Sequence, residues 1–127
     1  MRNKPRGEAM QLINITNGAV LADVVQIAGN FMTRLKGLIG RTGLESDEAF
    51  IIQPCKAVHT CFMSFPIDVI FLNNESYILS TMENMQPYSF SPIVTGSHMV
   101  IELPAGRLAA TLTGVGHQLK LLMKESR

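Results

Sequence analysis

Cys55, His59 and Cys61 are the residues whose types and close spacing could carry out chemistry in this chain. Their pattern, C-x₃-H-x-C, differs from the C-x₂₋₄-C spacing of structural zinc sites and has no clear fourth ligand. A cysteine nucleophile with His59 as its base is conceivable, but neighbours in an extended segment rarely point at one another. We therefore expect no metal and no cofactor, and we interpret His59 as a satisfied or solvent-facing loop residue.

Asp68 and Glu102 are acidic residues inside apolar segments that are typical of β-strands. Side chains alternate along a strand, so Asp68 shares a face with Ile70, and Glu102 shares one with Val100. A buried carboxylate is costly unless it is paired or hydrogen-bonded, so each acid needs a partner. Asp68 could lie at a strand end, exposed or bonded to backbone amides. If the two acids converge, they could instead serve as general acid and base, or bind a cation or a basic group of a ligand.

Arg34 and Arg41 are the candidate partners of these acids. They are seven residues apart, about two helical turns, so both can project from one side of a helix. One interpretation places them in a structural salt bridge and on a solvated helix face. In the other interpretation they bind an anionic ligand, for which the geometry of the guanidinium group is well suited.

The elements that must position these residues are mostly strands. Asn17-Gly18 tolerates the positive φ of a type I′ turn and predicts a hairpin between residues 12–15 and 19–27. Asn30 is a typical N-cap, and the helical spacing of the apolar residues after it predicts a short helix that Gly40 closes. Further strands are predicted over residues 48–53, 66–72, 77–82, 98–103 and 118–122, with a helical turn or two over 107–113.

Length and composition indicate a single domain. The chain has 127 residues, of which 46% are hydrophobic and 17% charged, so it can bury one core over about residues 12–122 and leave loose ends at 1–9 and 123–127. The element pattern predicts a mainly β, α+β fold. We expect a compact antiparallel or mixed β-barrel, or a bent sheet, with one or two short helices covering an open end.

Charge, hydropathy and aromatic content argue against several classes of partner. The 11 basic and 10 acidic residues give a net charge of +1, which disfavours nucleic acid. Trp is absent and aromatic residues make up 6%, which disfavours an aromatic platform for sugars or unstacked bases. The apolar runs are too short to span a membrane, and the first residues lack a signal peptide's apolar region. We expect a cytoplasmic protein with reduced cysteines.

Several short motifs occur in an order and spacing that resemble a known family. They are LKGLIGR from residue 35, VHTCFM from 58, FPIDVIFL from 65, Pro87, ELPAG from 102 and GVG from 114. Across about residues 12–122 they resemble the domain-of-unknown-function 192 family. The resemblance implies a small, single-domain, β-rich fold that is widespread in bacteria and archaea, and it implies no established activity.

The resemblance also identifies, position by position, the residues of this chain that correspond to the family's signature. They would be Gly37, Leu38, Arg41, His59, Met63, Asp68, Glu102 and Gly106. The signature thus includes both acids that strand alternation singles out. The chain departs from the family pattern at His117, where relatives commonly place an acid, and at Cys61, where a bulky aromatic residue is expected. These departures weaken a role for an acid beside Gly116 and a cysteine mechanism at Cys61.

The candidate site suggests two functions of different classes. The leading hypothesis is a non-catalytic binding or structural module for a small polar ligand or a protein partner. Its cleft would lie where the helix carrying Arg34 and Arg41 meets the strands carrying Asp68 and Glu102, with His59 at the rim. The alternative is a small hydrolase-type enzyme that uses Asp68 or Glu102 as general base, with His59 as acid or ligand-holder. A buried network in which each acid is paired with an arginine would favour a structural role. A carboxylate exposed to solvent beside His59 would favour catalysis.

Overall fold

The computed structural model describes residues 10–123, and most of its regular structure is strand. The mainly β, α+β class predicted from the sequence is confirmed. Of the loose ends predicted at 1–9 and 123–127, Met123 is the last residue of β8, and the others lie outside the described residues. No helix in this part of the chain has the length and apolar character needed to cross a membrane. In chain order the elements are β1 (Met10–Asn14), β2 (Val20–Ala22), β3 (Val24–Ala28), α1 (Phe31–Leu38), β4 (Glu48–Ile52), β5 (Ile67–Leu72), β6 (Ile78–Met85), β7 (Met99–Pro104), α2 (Arg107–Ala110) and β8 (Leu119–Met123).

The strands form two sheets that do not close into a barrel within residues 10–123. One sheet has three antiparallel strands in the order β2-β1-β8, and the other has five strands in the order β3-β4-β7-β5-β6. In the larger sheet β3 and β4 are parallel and the other pairs are antiparallel. The sheets meet through the chain at Asp23 and through a bridge between Tyr77 and Gln118. The arrangement is therefore closer to the predicted bent sheet than to the predicted barrel.

The second arm of the predicted hairpin is divided between the two sheets. Strands β1 and β2 pair in antiparallel fashion around Gly18, which has a φ of 83°, so the hairpin at Asn17-Gly18 is confirmed. The predicted strand over residues 19–27 is interrupted at Asp23, after which β3 pairs with β4. One continuous segment thus serves both sheets and holds them together.

Each face of the five-stranded sheet is covered by its own hydrophobic cluster. The cluster between the two sheets includes Leu12 and Ile101. The cluster on the opposite face includes Leu38 of α1 and Val100. Because side chains alternate along a strand, neighbouring residues of β5 and β7 enter different clusters. Strand β5 is buried along its whole length, so any polar side chain in it must find its partners inside the protein.

Helix α1 begins after its N-cap, Asn30, and is closed at Gly40, both as predicted. Ile39 is the C-cap and is 53% exposed. Gly40, with a φ of 87°, turns the chain, so Arg41 lies beyond the helix. The prediction that Arg34 and Arg41 share one side of this helix is therefore wrong.

Candidate functional site

Arg34 and Glu102 form an ion pair that is completely buried. Glu102 lies on β7 opposite Val69 of β5, on the sheet face whose cluster includes Leu38 of α1. The Nη2 atom of Arg34 donates a hydrogen bond to Oε2 of Glu102, and both side chains have 0% exposed surface. The predicted pairing of a helix arginine with a strand acid is confirmed for these two residues.

Arg34 also connects this pair to the loop between β4 and β5. Its Nη2 atom donates to the backbone carbonyl of His59 at 3.3 Å, and its Nη1 atom donates to the sulfur of Met63 at 3.6 Å. One guanidinium group thereby links α1, β7 and residues 59–63. We infer that Arg34 fixes the position of the loop that carries His59.

Burial makes the ionisation of Glu102 less favourable than it is in water. Burial raises the pKa of Glu102 from an ordinary value of 4.5 to about 7, against the opposing attraction of Arg34 for the carboxylate. The second carboxyl oxygen, Oε1, is buried and accepts no hydrogen bond from residues 10–123. Glu102 is therefore a core carboxyl group that titrates close to neutral pH.

We expect the stability of the protein to fall as the pH rises through the range in which Glu102 ionises. Because the pKa of Glu102 is raised on folding, the stability that this group contributes is fully present below 4.5 and lost as the pH passes 7. Between pH 5 and pH 8 the wild type should lose about 2–3 kcal/mol of unfolding free energy relative to Glu102→Gln. Urea denaturation followed by circular dichroism measures this difference, and an equal pH response of both proteins would contradict it.

Asp68 lies on the opposite face of the sheet from Glu102. The register of β5 and β7 pairs Asp68 with Leu103 and Val69 with Glu102. Because adjacent residues of a strand point in opposite directions, the two carboxyl groups enter different clusters and do not converge. A general acid and base built from these two residues is therefore excluded by the geometry.

The partners of Asp68 are backbone amides. Its Oδ1 atom accepts a hydrogen bond from the amide of Asn84 at 2.8 Å, and Oδ2 accepts from those of Gly106 at 3.1 Å and Leu108 at 2.9 Å. Gly106 is the N-cap of α2 and has no side chain, so Asp68 supplies the capping acceptor from a neighbouring strand. The backbone-amide alternative for Asp68 is confirmed, and its predicted pairing with an arginine is wrong.

Arg41 pairs with Glu48, an acid that the sequence patterns do not single out. Its Nη2 and Nη1 atoms donate to the two carboxyl oxygens of Glu48 at 2.6 and 3.1 Å, and the guanidinium group lies 5.8 Å from the ring centre of Phe50. This two-pronged contact holds the segment after α1 against the start of β4. The prediction that Arg41 is a partner of Asp68 or Glu102 is wrong.

His59 lies beside the buried Arg34 and Glu102 pair, because its backbone carbonyl accepts a hydrogen bond from Arg34. Its Nδ1 atom accepts a hydrogen bond from the amide of Cys61 at 3.2 Å. Burial, followed by the charge of Arg34, lowers the pKa of His59 and favours the neutral ring at neutral pH. A neutral ring that accepts at Nδ1 carries its proton on Nε2.

The His59 ring forms one wall of a surface groove, which we call the His59–Phe90 groove. The rings of His59 and Phe90 are 5.6 Å apart at their centres and tilted by 50°. The groove has a volume of about 250 Å³ and is lined by Ala57, Val58, His59, Phe90 and Ser91. It is therefore a small and mostly apolar recess.

A second pair of aromatic rings lies on the same two loops, and we call His59, Phe62, Tyr88 and Phe90 together the aromatic surface. The rings of Phe62 and Tyr88 meet edge to face with centres 6.2 Å apart. Phe62, Tyr88 and Phe90 are 63%, 65% and 71% exposed. Phe62 and Tyr88 also have positive φ values, of 69° and 60°, which bulky residues rarely adopt. Such strained backbone persists only where its surroundings hold it, and it is concentrated at functional sites.

Thr60 holds the two loops of the aromatic surface together. Its hydroxyl group donates to the carbonyl of Gln86 at 2.6 Å and accepts from the amide of Ser89 at 2.9 Å. Its own amide donates to the carbonyl of Ser89 at 2.9 Å, and its carbonyl accepts from the amide of Tyr88 at 3.0 Å. Because one buried residue makes all these hydrogen bonds, the aromatic side chains stand on a fixed backbone.

The cysteines contribute little to the chemistry of this region. Cys55 and Cys61 are both free. The thiol of Cys55 donates to the carbonyl of Ala57 at 3.2 Å, and burial raises its pKa, which disfavours the reactive thiolate. Among residues 10–123, no three His, Cys, Asp or Glu side chains are grouped so that they could hold a metal ion.

A family model described as DUF192, "Uncharacterized ACR", matches residues 12–121. Two archaeal relatives, each named "UPF0127 protein", are similar to this chain over most of its length. The protein from Thermococcus sibiricus is 29% identical over 120 residues, which cover 91% of this chain and 77% of that protein. The protein from Pyrococcus furiosus is 28% identical over 114 residues, which cover 86% of this chain and 96% of that protein.

Two solved bacterial structures have the same fold. A protein of unknown function from Novosphingobium aromaticivorans gives a TM-score of 0.73 at 22% identity, covering 87% of this chain and 82% of that one. A protein from Sinorhizobium meliloti, described as a candidate transcription regulator, gives 0.70 at 23% identity, covering 87% of this chain and 90% of that one. At these identities the likeness establishes the fold alone.

Proposed function

The chain belongs to the uncharacterised family DUF192, and from this premise we propose that it is a non-catalytic binding module. Its binding surface comprises the His59–Phe90 groove and the aromatic surface beside it. The observation that carries the proposal is that three aromatic side chains stand exposed on a braced backbone, while Asp68 and Glu102 are both fully buried.

The burial of both acids argues against the alternative of a hydrolase. A general base must come within hydrogen-bonding reach of the proton that it removes, directly or through one water. Asp68 is occupied by backbone amides, and Glu102 lies beneath the sheet surface beside Arg34. Neither carboxylate reaches solvent next to His59, so the acids support the architecture and hold the binding loops in place.

The size and composition of the surface favour a protein partner over a small polar ligand. Small-molecule sites usually enclose about 300–1,000 Å³. The His59–Phe90 groove is smaller than this range and suits a single anchoring side chain. Aromatic side chains are also enriched at the centres of protein interfaces, where a few of them supply most of the binding energy. We therefore assign the surface to a protein segment that inserts one apolar side chain.

Selection from a displayed random-peptide library tests this proposal. We expect the wild-type protein to select peptides whose affinity falls about 30-fold in Phe90→Ala, which is typical of the loss of a central aromatic anchor. Fluorescence anisotropy with synthetic copies of the selected peptides measures the change. Circular dichroism establishes that the variant is folded.

Val115→Ala is the matched control, because Val115 is an exposed apolar residue in the loop between α2 and β8. We expect it to change the affinity by no more than about twofold, as is usual outside an interface. Peptides that bind equally well to Phe90→Ala would place the binding surface elsewhere. Hydrolysis of a model ester that is lost in Glu102→Gln but retained in Phe90→Ala would support the enzyme instead.

A further inference from the structure

The carbonyl groups along one side of the His59–Phe90 groove already accept hydrogen bonds from within the protein. The carbonyl of Ala57 accepts from the Cys55 thiol at 3.2 Å, and that of Val58 accepts from the amide of Ser91 at 2.9 Å. The carbonyl of His59 accepts from Arg34. Each of these carbonyls already uses one of its two lone pairs, so a segment lying in the groove finds fewer acceptors for its own amide groups.

Ser91, the hydroxyl group that lines the groove, is similarly engaged. Its Oγ atom donates to the carbonyl of Pro92 at 2.9 Å and accepts from the amide of Val58 at 3.0 Å. A buried amide that makes no hydrogen bond costs free energy. The groove therefore disfavours a segment whose amides turn away from water without reaching an acceptor.

A proline residue avoids this penalty because it has no backbone N–H group. We propose, building on the binding function above, that the occupant of the groove is a proline-containing segment of a partner protein in the extended polyproline II conformation. One proline ring packs against the paired rings of His59 and Phe90, and the rest of the segment crosses Phe62 and Tyr88. Aromatic-lined grooves suit such segments, which are already ordered before binding.

Other modes of peptide binding fit this surface less well. Strand addition requires the surface to offer backbone acceptors to the incoming amides, and the carbonyls of residues 57–59 are engaged. An amphipathic helix inserts several anchors along its length, whereas the groove accommodates one side chain. The backbone of the surface is also fixed by Thr60, so it is matched to a stiff ligand.

The peptides selected on wild-type protein supply the test. Among those that depend on Phe90, we expect proline to be enriched, and replacing the required proline by alanine should weaken binding at least about tenfold, in line with losing an anchor. Replacement by N-methylalanine, which also lacks the N–H group, should retain affinity within about threefold, because the donor is what the groove excludes.

The outcomes separate this inference from the binding function on which it rests. Peptides that depend on Phe90 but contain no required proline would overturn the inference and leave the binding function standing. Equal binding of the proline and alanine forms would do the same. If the library yields no peptide that depends on Phe90, the binding function and the inference both fail.

Discussion

Arg34→Met is expected to lower the free energy of unfolding by about 3–5 kcal/mol at pH 8, the usual cost of removing one partner from a buried ion pair. The loss leaves Glu102 with no cation beside it in a site with 0% exposure. It also removes the hydrogen bonds from Arg34 to the carbonyl of His59 and the sulfur of Met63. Because the chain contains no Trp, urea denaturation is best followed by circular dichroism.

The double variant Arg34→Met with Glu102→Leu is the control for this result. Well-packed apolar residues can replace a buried ion pair with little loss of stability. We therefore expect the second substitution to restore at least half of the stability that the first removes. A cost below about 1 kcal/mol for the single variant would contradict the assignment. So would a double variant that is as unstable as the single one, since the unpaired Glu102 would then not be the source of the loss.

The sequence predicts the elements of the fold better than the way they assemble. The hairpin at Asn17-Gly18 follows from local turn chemistry, and strand periodicity is also a local property. The parallel pairing of β3 with β4 joins segments that are separated by a helix, and no local pattern encodes it. The interruption at Asp23 is not predicted by local patterns either, because it follows from the pairing of β2 with β1 and of β3 with β4.

The candidate site shows the same limit at the level of single residues. Strand alternation correctly identifies Asp68 and Glu102 as acids that need internal partners. Whether they meet depends on the register between β5 and β7, which pairs Asp68 and Val69 with residues more than thirty positions away. Likewise, Asp68 has backbone amides as partners, and Arg41 has Glu48, because of the way particular loops fold back onto the sheet.

Amino-acid composition does not predict the aromatic surface. The chain has six Phe and two Tyr residues, and this low content argues against an aromatic platform. Phe62, Tyr88 and Phe90 nevertheless lie exposed on two loops that Thr60 joins, the loop before β5 and the loop after β6. A small number of aromatic residues can therefore form a binding surface when long-range loop pairing concentrates them.

Asp68→Asn is expected to lower the free energy of unfolding by about 2–4 kcal/mol, because buried hydrogen bonds to a charged acceptor are lost. An asparagine side chain has one acceptor oxygen and one NH₂ group. In either orientation the NH₂ group faces a backbone amide, that of Asn84 on one side or those of Gly106 and Leu108 on the other. Two donors cannot bond to each other, so α2 or the end of β6 loses its anchor.

Asp23→Asn is the matched control for this measurement, because the carboxyl group of Asp23 also accepts a hydrogen bond, from Gln11 at 2.7 Å, but lies in a part-buried contact. We expect it to change the free energy of unfolding by less than about 1 kcal/mol. Amide hydrogen exchange should show faster exchange at Leu108 and Asn84 in Asp68→Asn and unchanged exchange there in Asp23→Asn. If the two variants are equally stable and exchange alike, Asp68 does not anchor α2, and its burial would need another physical cause.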